Sequence, residues 1–158
     1  MELYHGSNQI IKTPKLLIPT HPLDFGAGFY ATTNREQSVA FAQKVVKWRG
    51  GSAVVNTYLF DEKDISPFKI LKFDKPNKAW LEFVVENRAD KERKGIAEIV
   101  FGPVANDDVY TVVRDFEAGT YTLSETLRRL KIKELFNQYV FKTEKVIDLL
   151  KFKEYCYV

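Results

Sequence analysis

Apolar positions along the chain change their spacing several times, and each change marks an element. Met1–His5 alternates apolar and polar, the period of a half-buried strand. Gly6–Phe25 has no period and carries Pro14, Pro19 and Pro22, so a loop is expected there. Gly26-Ala27-Gly28 leads into a second short strand, Phe29–Thr32. Thr33-Asn34-Arg35-Glu36 has the form of a capping box, in which the Thr33 hydroxyl and the Glu36 carboxylate satisfy free N–H groups. The helix it opens is expected to run to Arg49 and stop at Gly50-Gly51.

Further along, Ala53–Phe60 and Phe68–Phe73 read as strands. Trp80–Arg88 reads as a helix, with Trp80, Phe83, Val84 and Asn87 on one side. Ile96–Phe101 is expected to be a strand closed by a Gly102-Pro103 turn. In Asp108–Ala118, Val109, Val112, Val113 and Phe116 recur at helical spacing, and Gly119 ends the helix. Thr122-Leu123-Ser124-Glu125 is a second capping box, opening a helix to Leu130. Leu135–Phe141 is a strand, Thr143–Leu150 a short helix, and Tyr155–Val158 a last strand. Short strands and helices outside any regular βαβ order predict an α+β fold. No repeat or linker divides the chain, so residues 1–158 are read as one domain.

Composition narrows this picture. At 158 residues the chain can bury a core without staples. Its 45% hydrophobic and 28% charged content is that of a soluble globular protein. Aromatics reach 14%, which fits either a β-rich core or a pocket for a flat ligand. A net charge of +3 is too small to argue for nucleic acid, but it favours an anionic ligand such as a dinucleotide. The basic runs Arg128–Lys133 and Lys142–Lys153 read as solvated faces. One cysteine excludes an intrachain disulfide and a zinc-type cluster, and no metal is expected. Cys156, between Tyr155 and Tyr157 with no basic neighbour in sequence, is expected to be a buried, inert thiol. There is no apolar stretch of about 18 residues and no signal-peptide pattern, so a cytoplasmic protein without a membrane partner is expected. No Gly-x-Gly-x-x-Gly follows a strand and no P-loop occurs, so any dinucleotide is held by something other than a Rossmann fold.

Three segments carry candidate chemistry. In Tyr4-His5-Gly6-Ser7 an imidazole at a strand end can hydrogen-bond a sugar hydroxyl, or be structural. Gly6 lets backbone approach a planar ligand, and Ser7 can donate or accept. Gly26–Thr33 sets two aromatics after two glycines, either as core or as stacking surface for a cationic ring. Asn137-Gln138-Tyr139-Val140-Phe141 opens an apolar strand with a polar pair. Each has an ordinary structural reading when taken alone.

Their order resembles the ADP-ribosyltransferase superfamily, in its His-Tyr-Glu branch, which includes diphtheria toxin and the poly-ADP-ribose polymerases. Those polymerases carry His-Gly-Ser or His-Gly-Thr, then Gly-x-Tyr-Phe-Ala, then Asn-Glu-Tyr-x-Val-Tyr. A closer resemblance is to small bacterial ADP-ribosyltransferase-like proteins encoded beside antitoxin-like partners. It rests on Asp24–Thr33, Asn87-Arg88, Gly102–Asp108 and Asn137–Phe141.

The resemblance implies a split β-sandwich of two small, mainly antiparallel sheets flanked by helices. It also implies NAD as co-substrate, cleaved at the nicotinamide–ribose bond, with ADP-ribose passed to an intracellular macromolecule. A protein acceptor is expected over nucleic acid, and a small antitoxin protein as a partner. It assigns His5, Tyr30 and Gln138 as the catalytic set: His5 on the ribose, Tyr30 stacked on nicotinamide. It places Tyr4, Gly6, Ser7, Phe25, Gly26, Phe29, Thr32 and Arg88 around NAD, with Phe25 covering the dinucleotide and Arg88 on a phosphate. Gln138 departs from the family's Glu and brings no charge to an oxocarbenium-like transition state. The difference between a charged and a neutral hydrogen bond alone is worth roughly tenfold in rate. Chain elongation is therefore not expected. A silent NAD-binding module and an NAD glycohydrolase are the alternatives. Glu82, Glu86 and Asp107 lie near the matching segments as other acids, each with a reading as a surface or helix-start residue.

Overall fold

The computed structural model describes residues 1–16, 19–90, 95–104, 107–131 and 136–158, the side chains of 104, 107 and 108 excepted. Among these the order is β1 (Glu2–Ser7), β2 (Phe29–Thr32), α1 (Arg35–Arg49), β3 (Val54–Leu59), β4 (Ile70–Lys72) and α2 (Lys78–Ala89). Then follow β5 (Ile99–Val104), α3 (Asp107–Glu117), α4 (Leu123–Lys131), β6 (Phe136–Phe141), α5 (Glu144–Ile147) and β7 (Lys151–Tyr157). A 3-10 turn spans Glu62–Ile65. The fold is α+β.

The strands form a single sheet in the order β4-β5-β6-β2-β1-β3-β7, where two small sheets are expected from the sequence. Among the described residues only β4–β5 is parallel. The physical reason for one sheet is a narrow joint. β1 and β2 are bridged at the single pair Tyr4↔Thr32. By contrast, β1 meets β3 at every position from Glu2↔Leu59 to Ser7↔Val54. Likewise β5 runs alongside β6 from Ile99↔Phe141 to Val104↔Phe136.

Alternation along the strands divides the core between the two faces. On one face Leu3, Phe29, Ala31, Tyr58, Tyr139 and Phe141 pack with Val146 and Ile147 of α5. On the other, Val100 and Val140 pack against Trp80, Leu81 and Val84 of α2, Val109 and Val113 of α3, and Leu130 of α4. α1 lies on this second face, over β1. Its Ser38 and Ala42 approach Gly6 so closely that a Cβ there would sit 2.1 Å from the Ser38 carbonyl oxygen.

Several boundaries differ from those expected, each for a local reason. Asn34, not Thr33, caps α1, its Oδ1 accepting from Gln37 N at 2.8 Å, because the Thr32 hydroxyl already holds the Asn34 N–H. α2 begins earlier, at Lys78, because Asn77 caps it through Trp80 N. Gly102-Pro103 is no turn. Both lie inside β5, opposite Gln138 and Asn137. Gly102 admits the Phe73 side chain, 3.0 Å from where a Cβ would be, and the Pro103 carbonyl accepts from Trp80 Nε1 at 2.7 Å. At Thr122 only half the box forms: Thr122 Oγ1 accepts from Glu125 N, while the Glu125 carboxylate turns to Arg128 and Arg129. α5 is one turn, and β7 starts at Lys151, not Tyr155. β7 is an edge strand with most of its side chains exposed, so apolar alternation does not mark its start. Ala105-Asn106, Ile132-Lys133 and Leu135 of the expected turn, basic run and strand lie outside the described residues.

Candidate functional site

His5 sits on β1 one residue past the single bridge to β2. Its Nδ1 lies 2.7 Å from the Tyr30 carbonyl oxygen. A carbonyl only accepts, so Nδ1 carries the proton and Nε2 presents a lone pair. The ring stacks on Phe29 with centroids 4.5 Å apart. Burial holds the imidazole pKa below its usual value, the Tyr30 bond partly opposing this. His5 is therefore a neutral acceptor at neutral pH, half-buried, with no partner at Nε2 among the described residues. An imidazole thus stands where a second backbone rung between β1 and β2 is expected.

Gln138 lies two strands away on β6, paired with Thr32 and Gly102. Its half-buried amide has no hydrogen-bond partner among the described residues. Cross-strand partners point to one side, so Gln138, Thr32 and Tyr4 share a face. Tyr30 shares it too and packs with Val140 and Phe25. His5 points to the opposite face, with Leu3 and Phe29. The three residues expected to form one catalytic set thus meet only through the joint, where the His5 ring holds Tyr30 by its backbone.

Tyr30 itself is committed to structure. Its hydroxyl donates to Gly26 O at 2.7 Å and accepts from Phe25 N at 3.2 Å, closing the turn into β2. Burial, reinforced by nearby Asp24, pushes its pKa up, so the phenol stays protonated. Phe25 does not cover a ligand: it is fully buried, its ring between Phe73 and Phe83. The Phe25 carbonyl accepts from Lys142 Nζ. Gly26 has φ of +75°, and a Cβ there would meet Asn87 Oδ1 at 2.7 Å. The glycine is set by backbone and packing rather than by ligand approach. Phe29 is core, stacked on His5 and edge-on to Tyr58. The buried Thr32 hydroxyl accepts from Asn34 N and lies 2.6 Å from Gln37 Oε1 and 3.1 Å from Asn137 O. Its one proton serves one of those two at a time.

Arg88 is not a surface cation awaiting a phosphate. Its side chain is 9% exposed. Nε donates to Asp24 Oδ1 at 2.8 Å and Nη2 lies 2.6 Å from the same oxygen. That second contact is an ion pair whose angle falls outside hydrogen-bond geometry. Nη1 is 3.8 Å from Glu117 Oε2, and the guanidinium covers the Tyr110 ring. Two acidic groups and an aromatic face thus occupy the fork that a phosphate needs.

Around the joint, Ser7 Oγ accepts from Gln9 N at 3.2 Å. Tyr4 donates to Glu2 Oε2 and helps floor a shallow concavity of about 360 Å³ with Thr57 and Cys156. Cys156 is exposed on β7, not buried, because its strand is the sheet's edge. Glu82 pairs with Lys78 on the surface and Glu86 is exposed on α2. The Asp107 side chain lies outside the described residues. Two residues went unnoticed in the sequence. Fully buried Asn56, opposite His5, accepts from Ile11 N at 2.8 Å and donates to Gln9 O at 3.0 Å, strapping the loop after β1 beside the imidazole. Gln37 holds the Thr32 hydroxyl. A polar amide inside the apolar run of β3 was the available signal for Asn56.

Among the described residues no group of three or more His, Cys, Asp or Glu is placed to hold a metal ion. No helix among them is long and apolar enough to cross a membrane. The class is thus an α+β domain with one mixed sheet and an imidazole-filled joint at its centre. Residues 1–152 match the family described as "Protein of unknown function (DUF3990)", and the chain belongs to it. No curated protein and no solved structure matches the chain.

Proposed function

We propose that this chain is an NAD-dependent mono-ADP-ribosyltransferase acting on an intracellular macromolecule, a protein by preference, as a cytoplasmic toxin held in check by a small protein partner. The observation that carries the reading is the joint: a neutral His5 with Nε2 open, at the one place where β1 and β2 are bridged by a single pair. On this reading the sheet is functionally split between β1 and β2, in the manner of the two small sheets of the ADP-ribosyltransferases. Nε2 accepts a hydroxyl of the nicotinamide-side ribose. The Gly6 backbone holds the carboxamide, and Gln138, two strands away and on the opposite face from the His5 ring, keeps an amide without a partner among the described residues for whatever part of the dinucleotide reaches that face. Tyr30 acts by fixing His5 and the turn at Gly26 rather than through a free hydroxyl. Holding the dinucleotide by contacts remote from the scissile bond puts binding energy into the cleavage step.

The test is nicotinamide release and label transfer from radiolabelled NAD in a cell lysate. Wild type should release nicotinamide and label a macromolecule. His5→Ala should lower both about a hundredfold or more, since a positioned polar group in a site is worth that much. Gln138→Glu should raise turnover about tenfold. Free ADP-ribose without labelled macromolecule identifies a glycohydrolase instead. Absence of both products overturns the reading.

Gln138 also favours a second reading, a module that binds NAD without turning it over. Calorimetric NAD binding without nicotinamide release, and a gain of activity only in Gln138→Glu, would select it.

A further inference from the structure

On the face away from the His5 ring, the sheet carries polar side chains in register. Thr57 of β3 pairs with Tyr4 of β1 on one side and with Glu154 of β7 on the other. All three point to that face, with Tyr4 and Glu154 about 10 Å apart across two strand spacings. They line the shallow concavity of about 360 Å³, where Arg35 from the first turn of α1 joins them. Thr57 is 6% exposed, yet its hydroxyl has no hydrogen-bond partner among the described residues. A hydroxyl buried to that degree is normally paired. Charge is divided between the two ends. Lys153 serves two carboxylates, Glu2 at 2.5 Å and Glu154 at 3.3 Å. Glu2 also takes the Tyr4 hydroxyl and feels the N-terminal charge, so Glu154 is the less compensated acid. Arg35 has no ion pair among the described residues. Burial and the Glu2 carboxylate raise the Tyr4 pKa while Lys153 and Arg35 oppose the rise, so Arg35 lies within electrostatic reach of the Tyr4 end.

We propose that this concavity binds the zwitterion of a free α-amino acid with an apolar side chain. The carboxylate meets the Arg35 guanidinium, whose planar fork suits it. The ammonium meets Glu154. The Thr57 hydroxyl, able to donate or accept, pairs with either group. The side chain lies against Tyr4 and Val55, which line the same hollow. A lone anion would face Glu154 and a lone cation would face Arg35, so a ligand carrying both charges complements both ends. The volume is at the small end of ligand pockets, which suits an amino acid better than a dinucleotide. It is a different site from the one proposed around His5, on the other side of the sheet.

The experiment titrates the full chain with L-leucine, with isocaproate, which lacks its ammonium, and with isoamylamine, which lacks its carboxylate. Backbone amide signals are followed by NMR. L-Leucine should bind with a Kd of about 1 mM or tighter and shift the amides of Tyr4, Thr57 and Glu154. Each single-charge analogue should bind about tenfold more weakly or worse. Arg35→Gln and Glu154→Gln should each weaken L-leucine about tenfold, and Thr57→Val about fivefold, with melting temperatures unchanged. Glu82→Gln, on α2 away from the concavity, should leave the affinity as it is. Equal binding of isocaproate overturns the proposal in favour of a simple anion site, and equal binding of isoamylamine in favour of a cation site. No shift at millimolar L-leucine, shifts confined to other parts of the chain, or an affinity insensitive to all three variants also overturns it.

Discussion

Two joints of one sheet behave differently. Between β5 and β6 the partners run unbroken over six positions, and Phe101, Tyr139 and Phe141 close ranks above them. Between β1 and β2 there is one pair, and the next tie is a side chain, His5 Nδ1 to Tyr30 O. A continuous ladder satisfies its own backbone and leaves nothing for a ligand. A joint tied by an imidazole leaves a basic nitrogen over. Away from the joint, Phe25 is engaged by Phe73 and Phe83, and Arg88 by Asp24. At the joint, His5 keeps Nε2 without a partner among the described residues.

The sharpest way to break that contrast is Arg88→Ala. If Arg88 belongs to the closed part, the change takes the guanidinium away from Asp24, whose side chain is 12% exposed. Removing one partner of a mostly buried pair costs about 3–5 kcal/mol. The denaturant midpoint should fall accordingly, and with it the order of the turn that Phe25 and Gly26 build. A variant that kept its midpoint while losing only affinity for an anionic ligand would move Arg88 to the open part.

Gly6→Ala probes the joint from the side of α1. The new Cβ would lie 2.1 Å from Ser38 O and 2.8 Å from Ala42 N, both helix backbone. Such overpacking costs about 1–3 kcal/mol, because a whole helix must lift. Gly119→Ala is the control: nothing lies within 4 Å of its added Cβ, and only a φ of +74° opposes it. A thermal melt that leaves Gly6→Ala at the wild-type temperature would show that α1 does not press on β1.

Elements were legible in the sequence where burial is one-sided. α3 falls where Val109, Val112 and Val113 place it, because one face meets the core and the other meets water. β7 was legible only at its end, since an exposed edge strand imposes no alternation. In the site, the sequence could point to His5 and Gln138 as polar groups in apolar strands. It could not say which neighbours were already satisfied. Arg88 and Asp24 are 64 residues apart, and nothing local announces their pairing. Asn56 escaped for the same reason, its partners Gln9 and Ile11 lying far back in the chain. Nor could residue types reveal that Tyr30 reaches His5 by its carbonyl, on the other face from its ring.

The subtlest separation of the two joints comes from acid. Burial lowers the His5 pKa in the folded chain below its ordinary value near 6.5. As pH falls through 6.5 the unfolded chain takes up this proton first, so stability is full above that point and drains below it, towards the folded pKa. His5→Gln keeps a donor for the Tyr30 carbonyl and removes the titration. Between pH 6.5 and 5, above the range of ordinary carboxylates, wild type should lose melting temperature faster than His5→Gln. Parallel curves would mean that the ring charges freely and that the joint is open to water. The same proton matters to a ligand. A charged imidazole donates from both nitrogens, so any binding that uses the Nε2 lone pair should weaken over the same pH interval, while the β5–β6 ladder, which holds no such group, stays as it is.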